Sequence, residues 1–342
     1  MAAMRNALRV LSCALISVWA AATGVHGQAQ VPPPWAYGYN EPGPEPAPPA
    51  CSKEMKPQDC ARRQTPRPMD VIHKMPGSTR TFTEYQVHYD FGPGDWFPDD
   101  HPAMPEIVAR GRESDKLRAC SLCHYPNGHG RPENGSPAGL PSEYILQQLQ
   151  AFRNGTRRSA DPRKANSNEM IQIARFLSDA EMKEAAAYFS AIKRRPWVEV
   201  KETDTVPKTR PGVNGLFLPL PGNETEPLGK RIIEVPQDPE TTERLRNPRS
   251  GWLAYVPAGS VARGAELVMK GGGRTVQCTL CHGADLNGMG AVPGLADRQA
   301  SYIVRQLYDM QAGTRESPMM KLVVAKLTED DMIAIAAYLA SK

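Results

Sequence analysis

The sequence predicts an all-α protein with two similar domains in tandem, and two observations lead to this fold class. A cysteine-containing pentapeptide occurs twice, and apolar residues at helical spacing follow both copies at the same distance. The chain has 342 residues, of which 40% are hydrophobic, so it is long enough for two or three globular domains. This composition excludes a chain that is disordered throughout.

The pentapeptide is Cys-Ser-Leu-Cys-His at 120–124 and Cys-Thr-Leu-Cys-His at 278–282. Each copy predicts covalent attachment of one haem, because two thiols on a helical turn can add to its two vinyl groups while the adjacent imidazole lies beneath the iron. The candidate residues are Cys120, Cys123, His124, Cys278, Cys281 and His282. A zinc ribbon would pair its Cys-x-x-Cys units about 15 to 20 residues apart, whereas Cys278 follows Cys120 by 158 residues. A thioredoxin-like dithiol predicts a βαβ setting and gives no reason for a histidine after each pair.

An internal repeat begins near residue 105 and accompanies the pentapeptides. Val-Ala-Arg-Gly occurs at 108–111 and 261–264, Tyr-Ile at 144–145 and 302–303, and Gly-Thr-Arg at 155–157 and 313–315. The last two pairs have the same separation as the cysteines. Each Tyr-Ile begins an apolar helical stripe, composed of Tyr144, Leu149 and Phe152 or of Tyr302, Leu307 and Met310. Gly155 and Gly313 are predicted to end these helices, and Ser178 and Thr328 are predicted N-caps of the closing helices.

The N-terminal residues 1–27 predict a secretory signal peptide. Arg5 and Arg9 precede an apolar run at 10–22, and small residues follow it. The run is shorter than the roughly 20 residues that a bilayer span needs, although an uncleaved anchor is the alternative. Cys13 lies in this segment, which leaves Cys51 and Cys60 as a predicted disulfide in an oxidising compartment.

Two further segments are rich in proline. Residues 28–104 predict a largely irregular extension, with one strand at 81–89 that is expected to be the only strand of the protein. Between domains at 105–195 and 251–342, residues 196–250 predict an extended, semi-rigid linker. Its prolines include Pro207, Pro211, Pro219, Pro221 and Pro227.

On these motifs, each repeat resembles a class I cytochrome c domain, and the pair is similar to the dihaem cytochrome c4-like proteins over 105–342. The resemblance implies two covalently bound haem c groups, each with a methionine as sixth ligand. Met170 and Met320 are the predicted ligands, since each lies seven residues before the leucine that precedes a closing helix. Met319, Met289 and Met182 are the alternatives, and all of these methionines could instead fill a core.

The resemblance also implies that a proline carbonyl orients each proximal imidazole. Pro293 has the matching position for His282, whereas the same count from Tyr144 leads to Gly135, with Pro137 nearby. If Gly135 takes that place, the two haems are expected to differ in potential.

The remaining histidines are weaker candidates. His129 in a glycine-rich loop is predicted to be exposed to solvent. His73, His88 and His101 in the extension are less favoured alternatives as sixth ligands.

Two His/Met-ligated haems imply electron transfer, because no coordination position stays open for a substrate. We therefore expect a periplasmic electron carrier, or the cytochrome subunit of a dehydrogenase or oxidase chain. Its partners would be redox proteins, namely a dehydrogenase, an oxidase or another cytochrome, and a membrane-associated complex is possible. The alternative is a dihaem enzyme of the peroxidase type with one open haem. No stacking motif for nucleic acid is present.

The predicted first domain carries a basic cluster, composed of Arg153, Arg157, Arg158, Arg163 and Lys164. The cluster could steer an acidic partner, or it could be a solvated helix end.

Overall fold

The computed structural model describes residues 31–41, 69–212 and 215–342. The predicted signal peptide, Cys13 and the proposed Cys51–Cys60 disulfide lie outside these residues.

The described residues form thirteen α-helices and eleven short strands. The helices are α1 Pro34–Tyr37, α2 Glu84–His88, α3 Glu106–Ala109, α4 Cys120–His124, α5 Ser142–Asn154, α6 Ala165–Phe176, α7 Asp179–Ala191, α8 Pro239–Leu245, α9 Ser260–Lys270, α10 Thr279–His282, α11 Ala300–Ala312, α12 Pro318–Val324 and α13 Glu329–Ala340. The strands are β1 Ile72–Lys74, β2 Thr81–Thr83, β3 Val198–Glu202, β4 Thr205–Pro207, β5 Thr209–Pro211, β6 Phe217–Pro219, β7 Thr225–Pro227, β8 Ile233–Pro236, β9 Trp252–Val256, β10 Gly288–Met289 and β11 Val292–Pro293. The prediction of an all-α protein is therefore wrong, because strands form in the extension and the connection, and three of them, β9, β10 and β11, lie within the predicted second domain.

In the first repeat, α5 packs against α6 and α7 around a core that includes Ile145, Met182 and Phe189. Ser178 and Glu181 form a capping box at the start of α7, and Gly155 ends α5 in a left-handed conformation. The predicted helix boundaries are confirmed here. The opening helix α3 is a single turn, because the backbone at Gly111 has a left-handed φ of 68° and cannot continue the helix.

The second repeat has the same order of helices with a longer opening helix. α9 crosses α13 at Gly264, where a Cβ would overlap the carbonyl oxygen of Ala334. A glycine at this point allows the two helix backbones to touch. Thr328 caps α13 in a capping box with Asp331, and Gly313 ends α11, so both predicted boundaries are confirmed.

The extension is more regular than its composition predicts. β1 pairs antiparallel with β2, and the predicted strand at 81–89 ends after Thr83 because Thr83 and Gln86 form a capping box that begins α2. Trp96 and Phe97 complete a small core with Leu245, which belongs to the connection between the repeats. The Trp96 indole nitrogen donates to the Leu245 carbonyl at 2.8 Å.

The connection at 196–250 is a folded unit rather than the predicted extended linker. β3 runs parallel to β9, which also pairs antiparallel with β8, and two hairpin-like pairs join β4 to β7 and β5 to β6. Four of the prolines, Pro207, Pro211, Pro219 and Pro227, lie at the ends of these short strands, where a missing N–H costs no ladder bond. The buried Glu234 carboxylate accepts from the backbone of Ala300 and Ser301 at 2.8 and 2.9 Å, so the connection is attached to the start of α11.

We predict that Gly264→Val destabilises the protein by about 2 kcal/mol, because the added side chain forces α9 away from α13. The control is Ala262→Val on the exposed face of the same helix, where only helix propensity changes, by about 0.5 kcal/mol. The measurement is the free energy of unfolding in urea. Equal losses for the two variants would show that the crossing does not need a glycine.

Candidate haem sites and the interface between them

The first pentapeptide forms α4, which places its residues along one wall of a cavity. Cys120, Cys123 and His124 line this cavity, and Met170 of α6 lines it as well. The void amounts to about 950 Å³ including its open mouth, which lies within the roughly 300–1,000 Å³ of ligand sites. The sequence-predicted residues of the first site therefore share one cavity.

The walls of this cavity are mostly apolar. They include Leu149, Phe152, Ile173, Leu177 and Phe189. Burial raises the pKa of Cys120 and that of Cys123 to about 12, so both thiols stay protonated at neutral pH. A redox dithiol needs a lowered pKa, so this environment suits a buried apolar group and does not suit disulfide exchange.

The histidine of each pentapeptide donates a hydrogen bond to a backbone carbonyl, that of Pro293 for His282, as the resemblance implied, and that of Gly135, at the same count, for His124. His282 Nδ1 lies 2.7 Å from the Pro293 oxygen, and His124 Nδ1 lies 3.3 Å from the Gly135 oxygen. A carbonyl only accepts, so Nδ1 carries the proton in both rings and Nε2 keeps its lone pair. Burial lowers the pKa of His124 to about 4 and also lowers the pKa of His282, which keeps both rings neutral.

Gly135 replaces the proline of the second repeat for a steric reason. Its φ is 79°, which proline cannot adopt. A Cβ at this position would lie 2.6 Å from Cε2 of Tyr302, which belongs to the other repeat. Contact between the repeats therefore excludes a proline here and leaves His124 with the longer hydrogen bond.

The second pentapeptide is more exposed than the first. Its cysteine Cys281 and the neighbouring Leu280 face solvent, whereas His282 is buried. Cys278 and Met320 both pack at the margin of the second core. Met319 is 70% exposed, so of the two adjacent methionines Met320 is the one directed inward.

The other candidate ligands lie elsewhere. Met182 is fully buried in the first core, and Met289 is 58% exposed on β10. His73 contacts Glu84 at 2.8 Å, and His101 contacts Asp95 at 3.3 Å and Tyr188 at 3.1 Å. His88 binds Glu84 and the Arg244 carbonyl. None of these three histidines lines the first cavity.

His129 is buried, so the prediction that it is exposed to solvent is wrong. Its Nδ1 donates to the Asn127 carbonyl at 2.9 Å, and its ring packs on Trp197 with centroids 4.8 Å apart. Its backbone carbonyl accepts from Gln299 of the second repeat at 2.9 Å. The loop that looked flexible from its glycines is held by the connection and by the second repeat.

A two-fold arrangement of arginine and tyrosine residues joins the repeats. Arg157 donates to the Tyr302 hydroxyl at 3.0 Å, and Arg315 donates to the Tyr144 hydroxyl at 2.6 Å. We call these four residues the Arg–Tyr clasp. Both guanidinium groups also share the amide oxygens of Gln148 and Gln306 at distances of 2.8 to 3.1 Å. Backbone bonds from Arg158 to Thr314 and from Glu316 to Thr156, each 2.8 Å, complete the symmetry.

The clasp explains repeat residues whose role the sequence did not reveal. Tyr144 and Tyr302 were predicted to belong to apolar helix stripes, and Gly-Thr-Arg was predicted only to end a helix. The sequence did contain a signal for this role. The tyrosine and the arginine recur at the same separation as the cysteines, although most residues between them differ.

The predicted basic patch does not form. Arg157 is in the clasp, Arg153 pairs with Asp179, Arg163 pairs with Asp161, and Lys164 is buried. Of these five residues, only Arg158 is exposed.

A second charged cluster lies near Cys123. Arg131 and Arg246 flank the Tyr125 ring, with guanidinium carbons 5.3 and 5.8 Å from its centroid. Arg118 lies nearby and binds Glu169 at 2.7 Å. Burial, together with Arg131, lowers the pKa of Arg246 to about 10, but it remains a cation at neutral pH.

Comparison with known proteins identifies this arrangement. The Cytochrome c family profile matches residues 108–193. The cytochrome c-554(548) of Halomonas halodenitrificans is 31% identical over 78 residues, which make up 22% of this chain and 88% of that protein. The chain belongs to the cytochrome c family.

Two relatives with longer matches show the tandem arrangement. The "thiosulfate dehydrogenase electron acceptor" of Thiomonas intermedia (strain K12) is 26% identical over 230 residues, or 66% of this chain and 78% of that protein. The cytochrome c4 of Azotobacter vinelandii is 26% identical over 237 residues, or 66% of this chain and 84% of that protein. This cytochrome is a c4-like dihaem electron-transfer protein with two covalently bound haem c groups, which confirms the resemblance and the predicted cofactors.

We predict that His129 makes stability sensitive to acid. Burial, opposed by the Asn127 carbonyl, lowers its pKa from 6.5 to about 4, so the unfolded chain binds this proton more readily. The contribution of neutral His129 to the free energy of unfolding is complete above about pH 6.5. It is lost as the pH falls toward 4, with a slope of about 1.4 kcal/mol per pH unit.

The test is urea unfolding at several pH values for the wild-type protein and for His129→Phe, which keeps a ring against Trp197. The variant should show a shallower loss of stability between pH 6.5 and 4. Parallel pH profiles would show that His129 does not titrate with folding.

Proposed function

We propose that the protein is a periplasmic electron carrier that accepts electrons from a dehydrogenase or a quinol-oxidising donor and passes them to a terminal oxidase or another acceptor. The observation that carries the proposal is the first cavity, where His124 and Met170 line one apolar void beside two thiols. When bound there, haem supplies one-electron chemistry at iron. The residues of the chain hold it, orient it and exclude water.

The proposed attachment residues are Cys120 and Cys123 for the first haem, and Cys278 and Cys281 for the second. The proposed axial ligands are His124 with Met170, and His282 with Met320. A neutral imidazole and a thioether from the chain would together hold the iron of a bound haem and would leave no position for a substrate. The buried, neutral histidines and the inward-directed Met320 support these pairs. An iron with no free coordination position favours electron transfer. It disfavours peroxide chemistry, which is the alternative function.

The interface supports transfer between the two sites. The wall of the first cavity includes Tyr302 of α11, so the second domain closes part of the first site. Arg157 lines the same cavity and would be available to pair with a haem carboxylate. We propose that electrons cross between the sites here.

The proposed location rests on the signal-like N-terminus and on the oxidising compartment that its cysteines suggest. In the described ranges, no helix has both the length and the apolarity required to cross a bilayer. The relative named as an electron acceptor of thiosulfate dehydrogenase supports a dehydrogenase as donor. We propose that the electron donor of this protein is a dehydrogenase.

The experiment that tests the function is a haem count per chain, with spectra of the reduced protein before and after carbon monoxide is added. Two haems and no spectral change are expected, together with negligible peroxide turnover. A carbon monoxide adduct in the wild-type protein, with peroxide turnover, would favour the peroxidase alternative.

We predict that Met170→Ala and Met320→Ala each lower the potential of one haem and open its iron to carbon monoxide. The reason is that thioether favours reduced iron, and alanine offers no ligand. Met319→Ala is the matched control, because this exposed neighbour should leave both spectra unchanged. If Met319→Ala opens a haem and Met320→Ala does not, the assignment in the second domain is wrong.

We predict two separate redox waves, with the first haem at the higher potential. The shorter hydrogen bond of His282 makes its imidazole the stronger donor and stabilises oxidised iron in the second site. Arg118, Arg131 and Arg246 near Cys123 disfavour the extra positive charge of oxidised iron in the first site.

Arg246→Met should therefore move only the upper wave to lower potential in a redox titration. The matched control is Arg244→Met, an exposed arginine in the last turn of α8, two residues before Arg246. A single two-electron wave in the wild-type protein would contradict the inequality.

A further inference from the structure

The segment that leads to Met170 is longer in the first repeat than the equivalent segment in the second. Met170 follows the helix-ending glycine Gly155 by 15 residues, whereas Met320 follows Gly313 by 7, so the first repeat has eight additional residues here. We call residues 156–164, which join α5 to α6, the Met170 loop. A longer loop loses more conformational freedom when it is ordered, so it needs more contacts to fix the helix that follows.

An N-terminal segment lies against the end of the Met170 loop. We call residues 33–41 the arm. The Tyr39 hydroxyl donates to the Arg163 carbonyl at 2.6 Å, and the Arg163 guanidinium carbon lies 4.0 Å from the centroid of the Tyr39 ring. The same guanidinium donates to the Glu41 carbonyl at 3.4 Å. The arm is therefore joined to the loop just before α6 begins.

A buried carboxylate of the second domain connects the same two segments. Oδ1 of Asp309 accepts from the Tyr37 hydroxyl at 2.7 Å and from the Ala160 backbone N–H at 2.8 Å. Tyr37 is fully buried and Asp309 is 5% exposed. Burial of a carboxylate is costly unless its oxygens accept hydrogen bonds. The Tyr37 hydroxyl therefore stabilises the carboxylate that holds the loop.

The arm is itself fixed to the rest of the molecule. Arg305 of the second domain donates to the Ala36 carbonyl at 2.6 Å and to the Pro132 carbonyl of the first domain at 2.6 Å. A Cβ at Gly38 would lie 2.3 Å from Cα of Gly215, so the arm crosses the connection in direct backbone contact. The arm thus has a defined position from which it can hold the loop.

We propose that the arm positions Met170, so that the sixth ligand of the first haem depends on hydrogen bonds from the N-terminal extension. The proposal rests on the proposed assignment of Met170 and adds the residues that hold this ligand in place. Tyr37 and Tyr39 are positioning residues, because they act on the loop and not on the haem. The second domain does without an arm, because only residues 314–317 separate Gly313 from α12.

The test is the rate at which imidazole displaces methionine from the oxidised dihaem protein, measured by stopped flow as the absorption band of methionine-ligated iron is lost. The phase that disappears in Met170→Ala belongs to the first haem. Tyr37→Phe keeps the buried ring and removes the hydroxyl, so the rate of this phase should rise about fivefold, the effect of one hydrogen bond. The double variant Tyr37→Phe/Tyr39→Phe should raise it by at least about tenfold. The phase of the second haem should not change in either variant.

The matched control is Tyr89→Phe, which removes a tyrosine hydroxyl of the extension that donates to Glu113 at 2.9 Å, outside the arm. This variant should react as wild type. Equal acceleration in the control, or acceleration of both phases, would indicate a general loosening of the fold and would overturn the proposal.

The Met170→Ala variant separates the positioning role from the ligand assignment. If this variant loses one phase while the arm variants react as wild type, the positioning role is wrong and the assignment of Met170 stands. If it keeps both phases, the assignment of Met170 fails, and the positioning role fails with it.

Discussion

The Arg–Tyr clasp is the constraint on which the arrangement of the molecule depends. Two guanidinium groups, Arg157 and Arg315, are taken from water and meet the hydroxyls of Tyr302 and Tyr144 across a two-fold axis. Buried cations need complete hydrogen bonding, and each of these obtains part of it from the other repeat. The first cavity is closed by the second domain as a result. The two sites are therefore parts of one structural unit rather than of two independent domains joined by a linker.

The same contact makes the two sites unequal. The Tyr302 ring occupies the space that a side chain at position 135 would need, so the first domain uses Gly135 where the second uses Pro293. The carbonyl at this position then lies farther from its histidine, at 3.3 Å instead of 2.7 Å. The extension places Asp90, and the connection places Arg246, beside the first motif. One duplicated domain thus becomes a buried site, and the other an exposed one.

The parts that could be predicted from sequence are those in which local chemistry decides the outcome. The helix caps at Ser178 and Thr328, the ends at Gly155 and Gly313, and the carbonyl partners of both histidines follow from short motifs. Long-range packing was not predictable in the same way. His129 looked exposed in a glycine-rich loop but is covered by Trp197 and Gln299. Prolines that suggested an extended linker instead end short strands, which pair antiparallel with other strands of the connection.

The most direct test of this account is whether electrons cross the interface within one molecule. A light pulse that reduces a small fraction of the haems would be followed by the redistribution of electrons between the two redox components. The account predicts a redistribution rate that does not depend on protein concentration and that falls in Arg157→Met, which removes one half of the clasp. A rate proportional to protein concentration would mean that the haems exchange electrons only when molecules collide, and would contradict the account.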